Sequence, residues 1–184
     1  KWENPFKDIK ATDWFYSYVE YVCAMGLFNG TTDGTFSPNM PMTRGMLATV
    51  LWRMDGTPMP QGKNIFSDIS ADWYKNAILW ASENNIVSGY GSGLFGPDDD
   101  ITREQIAVIL YRYSQYKDHG VTARADLSSY TDMGEISSWA QDAMKWANAE
   151  GFITGRSDKA LAPKGKASRG EIAAILYRFL NQNK

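Results

Sequence analysis

The sequence repeats itself three times. Trp14, Gly30, Phe36, Pro38, Arg44, Leu51 and Arg53, moved 59 places along the chain, become Trp73, Gly89, Phe95, Pro97, Arg103, Leu110 and Arg112. A further 66 places give Trp139, Gly155, Leu161, Pro163, Arg169, Leu176 and Arg178, with Phe to Leu the single break in the series. Self-similarity of this kind marks an array of units of about sixty residues, too small to bury their apolar faces singly. The three units, read as 1–58, 59–118 and 119–184, are therefore expected to share one core.

Each unit reads as two helices. An aromatic precedes an aspartate by two places (Phe6 and Asp8, Phe66 and Asp68, Tyr130 and Asp132), and a short gap then leads to the tryptophan. Asp13, Asp72 and Ser138, just before each tryptophan, are N-cap residue types, and the apolar residues that follow fall at helical spacing. Gly26, Asn85 and Gly151, each followed by an apolar residue, end that first helix in a left-handed cap. A loop holding Gly30, Gly89 and Gly155, a turn and a Phe-x-Pro segment lead to the second helix; in the third unit Lys159 takes the turn glycine's place. The second helix opens at Thr43, Thr102 and Ser168 as N-caps. Gln105 and Glu171 are placed to complete capping boxes, whereas Met46 is not. Leu47, Val50 and Leu51 and their counterparts make a buried stripe. The three second helices are predicted to pack about a pseudo-three-fold axis. Asp55–Gly62 and the stretch from Lys117 to Ser129, with the only histidine, His119, are linkers.

Arg44, Arg103 and Arg169 are not explained by capping. A cation at the first helical position faces the positive end of the helix dipole. An anion would compensate it. Arg53, Arg112 and Arg178 sit at the negative end of the same helices, where the dipole alone accounts for them.

Composition narrows the function. A net charge of -2 with mixed signs lacks the basic stripe of a nucleic-acid binder. No apolar run is long enough to cross a membrane. Cys23 is the only cysteine, which excludes an internal disulfide and reads as a small buried hydrophobe. Asp98-Asp99-Asp100 lacks the alternating ligands of a calcium loop, and Asn29–Gly34 is followed by Met40 where such a loop needs its closing acid. No metal or cofactor is expected. Catalysis would need a carboxylate pair drawn from the repeated acids, giving three similar sites rather than one, so a binding protein is favoured over a glycoside hydrolase. Lys1 reads as a cut point in a longer precursor.

Phe-x-Asp, Trp, Gly-(apolar)-(apolar)-x-Gly, Gly-x-Phe-x-Pro and Ile-Thr-Arg-Glu, in order and in three tandem copies over nearly the whole chain, resemble the S-layer homology domain family. The resemblance implies a mainly α fold: three two-helix repeats forming one three-pronged spindle, a monomer as an isolated fragment, displayed outside a Gram-positive-type cell at its wall or S-layer. It implies non-covalent anchoring to secondary cell wall polysaccharide, through pyruvylated N-acetylmannosamine bound in grooves between neighbouring repeats. In the family the arginine of Thr-Arg-Ala-Glu is a chief ligand residue, which carries over to Arg44, Arg103 and Arg169; an arginine fork beside free helix amides would be a good receptor for the pyruvate carboxylate. Asp8, Asp68 and Asp132 are then assigned to sugar hydroxyls or to orienting the arginines, with Trp14, Trp73, Trp139, Gly30, Gly89 and Gly155 as walls. Departures from the family pattern fall at Gly45 and Gly170 (for Ala, expected to be harmless), Met46 (for an acid), Ser168 (for Thr), Lys159 and Leu161. They predict unequal grooves, one of them silent.

Competing assignments stay open at this level. The arginines are either carboxylate receptors or internal ion-pair partners of Asp8, Asp68 and Asp132. A tryptophan one place into an amphipathic helix is read first as core with one exposed edge, and the loop glycines as demanded by backbone geometry. At the level of the whole chain, the alternative is a protein–protein docking or surface-lattice module without carbohydrate binding.

Overall fold

A computed structural model describes all residues except Asp158, Asn183 and Lys184. The described residues form six α-helices: α1 (Tyr16–Ala24), α2 (Arg44–Met54), α3 (Asp72–Glu83), α4 (Arg103–Tyr116), α5 (Gln141–Ala149) and α6 (Arg169–Leu180). Among the described residues the extended backbone forms only isolated bridges, so the mainly α expectation holds. No helix among the described residues is long and apolar enough to cross a membrane.

The first helices end as their sequences dictate. Gly26, Asn85 and Gly151 have φ of +73°, +59° and +75°. The next amide closes back five residues in each case: Leu27 N–H to Val22 O, Ile86 N–H to Ala81 O, Phe152 N–H to Ala147 O. The apolar residue carrying that amide is buried. Their starts differ from expectation. Asp13, Asp72 and Ser138 are not N-caps: α1 begins only at Tyr16, α3 already includes Asp72, and a 3-10 turn over Ser138–Ala140 precedes α5. Tertiary packing of the segment before each helix sets these starts, and none has a side-chain cap. The second helices are capped as predicted by Thr43, Thr102 and Ser168. The reciprocal half of the box forms only in α4, where Gln105 accepts the Thr102 amide at 3.0 Å.

The helices pair across unit boundaries, not within them. α2 packs on α3, α4 on α5, and α6 on α1, so the last repeat closes onto the first and the contacts form a ring. Among the described residues the second helices do not approach one another at backbone distance, but Tyr113 of α4 and Phe179 of α6 meet in the core with ring centroids 6.0 Å apart. The extended residues before those helices join the repeats in the core: Met42 N–H donates to Ala167 O and Ile101 N–H to Met42 O, both at 2.8 Å, and all three residues are fully buried. Backbone amides there would be orphaned in a helix-only core, and pairing them removes that cost.

Each helix start is plugged into the next unit's loop. Arg44 and Gly45 donate their amides to Asp99 O and Pro97 O, Arg103 and Glu104 to Gly165 O and Pro163 O, and Arg169 and Gly170 to Met40 O and Pro38 O. The helix amides expected to be free for a ligand are therefore already bonded.

Gly45 is not a neutral replacement, whereas Gly170 has more room. A Cβ on Gly45 would stand 2.8 Å from Tyr74 Cδ2 and 3.0 Å from Pro97 O, and one on Gly170 3.3 Å from Phe15 Cγ and Pro38 O. Tyr74 and Phe15 each follow a repeat tryptophan; the third such residue is Ala140, and opposite it the glycine is replaced by Glu104. The small residue leaves room for that side chain, which is buried and accepts from Ser137 N–H at 2.9 Å, Ser137 Oγ at 2.8 Å and Lys164 Nζ at 2.5 Å.

Candidate functional site

Among the described residues, three of the surface grooves share one plan, each assembled from all three repeats. The first is built on the loop of repeat 1 (Asn29, Gly30, Thr31), with Met46 and Arg53 from α2, Trp73 from repeat 2 and Arg169 from repeat 3, and encloses about 490 Å³. The second is built on Ser88, Gly89 and Tyr90, with Gln105 and Arg112, Trp139 from repeat 3 and Arg44 from repeat 1, and encloses about 350 Å³. The third is built on Thr154, Gly155 and Arg156, with Glu171 and Arg178, Trp14 from repeat 1 and Arg103 from repeat 2, and encloses about 380 Å³. The ring of helix pairs produces this arrangement, because it delivers one neighbour's arginine and the other neighbour's tryptophan to each loop.

The arginine that opens each second helix is buried, only 5–6% exposed. Its Nε and Nη2 donate to two carbonyls of the next unit's loop: Arg44 to Phe95 O (3.1 Å) and Ser88 O (2.8 Å), Arg169 to Phe36 O (2.9 Å) and Asn29 O (2.6 Å), Arg103 to Leu161 O (2.8 Å) and Thr154 O. These carbonyls, rather than an anion, offset the unfavourable dipole end. The guanidinium of Arg44 lies 4.7 Å from the Tyr90 ring centroid and 4.6 Å from that of Phe95; Arg169 lies 4.6 Å from Phe36 and 5.4 Å from Phe28. Burial pushes the pKa of all three down, in Arg169 to about 10, with the charge of Arg53 adding to the effect there. At neutral pH each still carries its proton. The Nη1 edge is turned to the groove: Arg103 Nη1 faces Glu171 and Arg169 Nη1 faces Met46 Sδ, while Arg44 Nη1 has no partner among the described residues.

Asp8, Asp68 and Asp132 neither pair with these arginines as salt bridges nor line a groove. Each carboxylate accepts two successive amides of the Phe-x-Pro segment: Phe36 and Ser37, Phe95 and Gly96, Leu161 and Ala162. The second residue of each pair is left-handed, with φ of +58°, +72° and +50°, a strained conformation for Ser37 and Ala162 that the carboxylate holds in place. Burial works against the charge of Asp68 and Asp132. The amide bonds, helped by Arg44 and Arg103, outweigh it and hold both carboxyls below the usual range. Because Phe95 O and Leu161 O are the carbonyls that grip arginine, these aspartates orient it at one remove.

Trp14, Trp73 and Trp139 are not core residues: they are 61%, 50% and 59% exposed, each at a groove edge. Gly30, Gly89 and Gly155 lie in the groove loops but are not left-handed, so φ is not their cause. A Cβ on Gly89 would meet Leu94 O and the Phe66 ring at 2.6 Å, and Gly30 and Gly155 are crowded in the same way by Phe6 and Tyr130. Arg53, Arg112 and Arg178 do more than suit a dipole, since each lines a groove. Their recurrence in all three repeats is the sequence signal for this.

The sequence model of the S-layer homology domain matches residues 5–45, 65–107 and 129–173. The chain belongs to the S-layer homology family. It is 32% identical over its whole length to an amylopullulanase of Thermoanaerobacterium thermosulfurigenes, covering 10% of that protein. Over 96% of its length it is 31% identical to an endoglucanase of Bacillus sp. strain KSM-635, covering 19%. Over 88% it is 28% identical to a surface-layer 125 kDa protein of Lysinibacillus sphaericus, covering 14%. The chain thus spans a tenth to a fifth of these relatives, and two of their names describe whole enzymes. As an S-layer homology module it is an extracellular, wall- or S-layer-associated anchoring unit.

Proposed function

We propose that this S-layer homology module anchors its parent protein by binding an acidic secondary cell wall polysaccharide, the pyruvate ketal of N-acetylmannosamine being the group received. The observation that carries the reading is a groove, occurring three times, in which a buried arginine fixed by two backbone carbonyls presents its remaining edge beside an exposed tryptophan. A carboxylate on that edge gains a charge-assisted bond without further ordering of the arginine. Arg53, Arg112 and Arg178 supply a second positive charge on the opposite wall. The tryptophan face suits the C–H face of a sugar ring. Asp8, Asp68 and Asp132 act as positioning residues for the arginines and do not touch the ligand. Three grooves meeting a repeating polymer gain by avidity.

Calorimetric titration with wall polymer before and after acid removal of the pyruvate tests this. Binding that vanishes with the ketal supports the carboxylate receptor. Binding that survives its removal transfers recognition to the aromatic walls, and the proposal fails.

A further inference from the structure

The third groove differs from the other two in carrying its own carboxylate. Glu171 Oε2 lies 3.8 Å from Arg103 Nη1 and 3.2 Å from Arg156 Nη2, and its Oε1 lies 3.4 Å from the latter. Arg156 takes the place of Thr31 and Tyr90, and Glu171 that of Met46 and Gln105, so neither partner of this pair has a counterpart in the other grooves. Arg156 is further tied through Nη2 to Lys166 O. The equivalent side chain in the second groove, Gln105, turns away from its arginine and accepts its own N-cap amide; Glu171 leaves that bond with Ser168 unmade.

We propose that the third groove is gated by Glu171. In the unliganded chain the carboxylate sits on the edge of Arg103 where an acidic sugar would dock, and the Ser168 amide is the second seat to which it moves when displaced. The inference rests on the carboxylate reading above and adds its regulation: the three grooves are graded, the third filling last. The competing carboxylate keeps 29% of its surface exposed and stands at a long 3.8 Å from the buried Arg103, so its displacement weakens ligand binding by about tenfold rather than abolishing it.

Each groove holds one of the three edge tryptophans, which serves as its reporter. The test is to titrate ¹⁵N-labelled protein with the pyruvylated N-acetylmannosamine monosaccharide and follow the indole N–H signals of Trp73, Trp139 and Trp14. In the parent chain Trp14 should saturate at about tenfold higher sugar than the other two. In Glu171→Gln, which gives α6 the residue α4 already accommodates, Trp14 should move into their range. Equal midpoints in the parent, or an unmoved Trp14 midpoint in the variant, overturn the gate. Should no tryptophan respond in either protein, the carboxylate reading itself fails. The Nε–H signals of Arg103 and Arg156 then decide separately: a shift on Glu171→Gln without sugar upholds the internal contact, and none refutes it.

Discussion

Gly45→Ala tests whether the units are held together by the fit of one ring against one helix start. The added methyl group would stand 2.8 Å from Cδ2 of Tyr74 and 3.0 Å from Pro97 O. Neither neighbour gives way easily. Tyr74 is 1% exposed with its hydroxyl bonded to the Ser70 amide, and Pro97 O already accepts the Gly45 amide at 2.8 Å. Overpacking of this kind costs about 1–3 kcal/mol. Alanine recovers at most about 1 kcal/mol of helix propensity, and less in the first turn. The net loss should be about 1–2 kcal/mol, and a domain of this size melts about 2–4 °C lower per kcal/mol, so the midpoint should fall by roughly 2–8 °C. Gly170→Ala, with 3.3 Å contacts, is the control and should be near neutral. Removing the ring should remove its share of the penalty, so Gly45→Ala should cost less in a Tyr74→Ala background than in the parent, with only the Pro97 O contact left, a coupling readable from a double-mutant cycle in thermal or urea unfolding. A Gly45→Ala protein as stable as the parent would refute the fit.

The two sets of arginines should separate in mutagenesis: Arg44→Ala leaves Phe95 O and Ser88 O without their donor and should lower stability by about 2–4 kcal/mol as well as weaken binding. Arg112→Ala, on the groove wall, should weaken polymer binding with stability within about 0.5 kcal/mol of the parent; a collapse of its melting curve would place it with the scaffold. Asp68 and Asp132 make stability depend on acid. Their folded pKa values lie below the unfolded value of about 4, so the unfolded chain binds the extra proton, and their contribution is complete above that value and lost as pH falls through the folded one. Asp68→Asn should therefore lower the melting point at pH 7 and flatten its decline below pH about 4, and an unchanged acid limb would contradict the role given to the carboxylate.

The sequence, read alone, located the helices that depend on local chemistry. Thr43, Thr102 and Ser168 cap because a hydroxyl can always reach an amide three residues on, and Gly26, Asn85 and Gly151 stop helices because they tolerate positive φ. The threefold spacing also identified the arginines, and the tryptophans and glycines that share their grooves. What each residue does there was not legible, because a side chain's partner lies in another repeat. Asp68 is bonded to residues 27 and 28 places away, and Arg169 reaches Phe36 and Asn29, 133 and 140 places back. A repeat pattern states that the same contact occurs three times without naming which copy supplies which half. Only the closed ring, in which α6 packs on α1 and each helix start enters the next unit's loop, decided that every groove is shared by all three repeats. The physical reason is that a sixty-residue, two-helix unit has too little apolar surface to bury alone, so its faces and its backbone amides are satisfied by its neighbours.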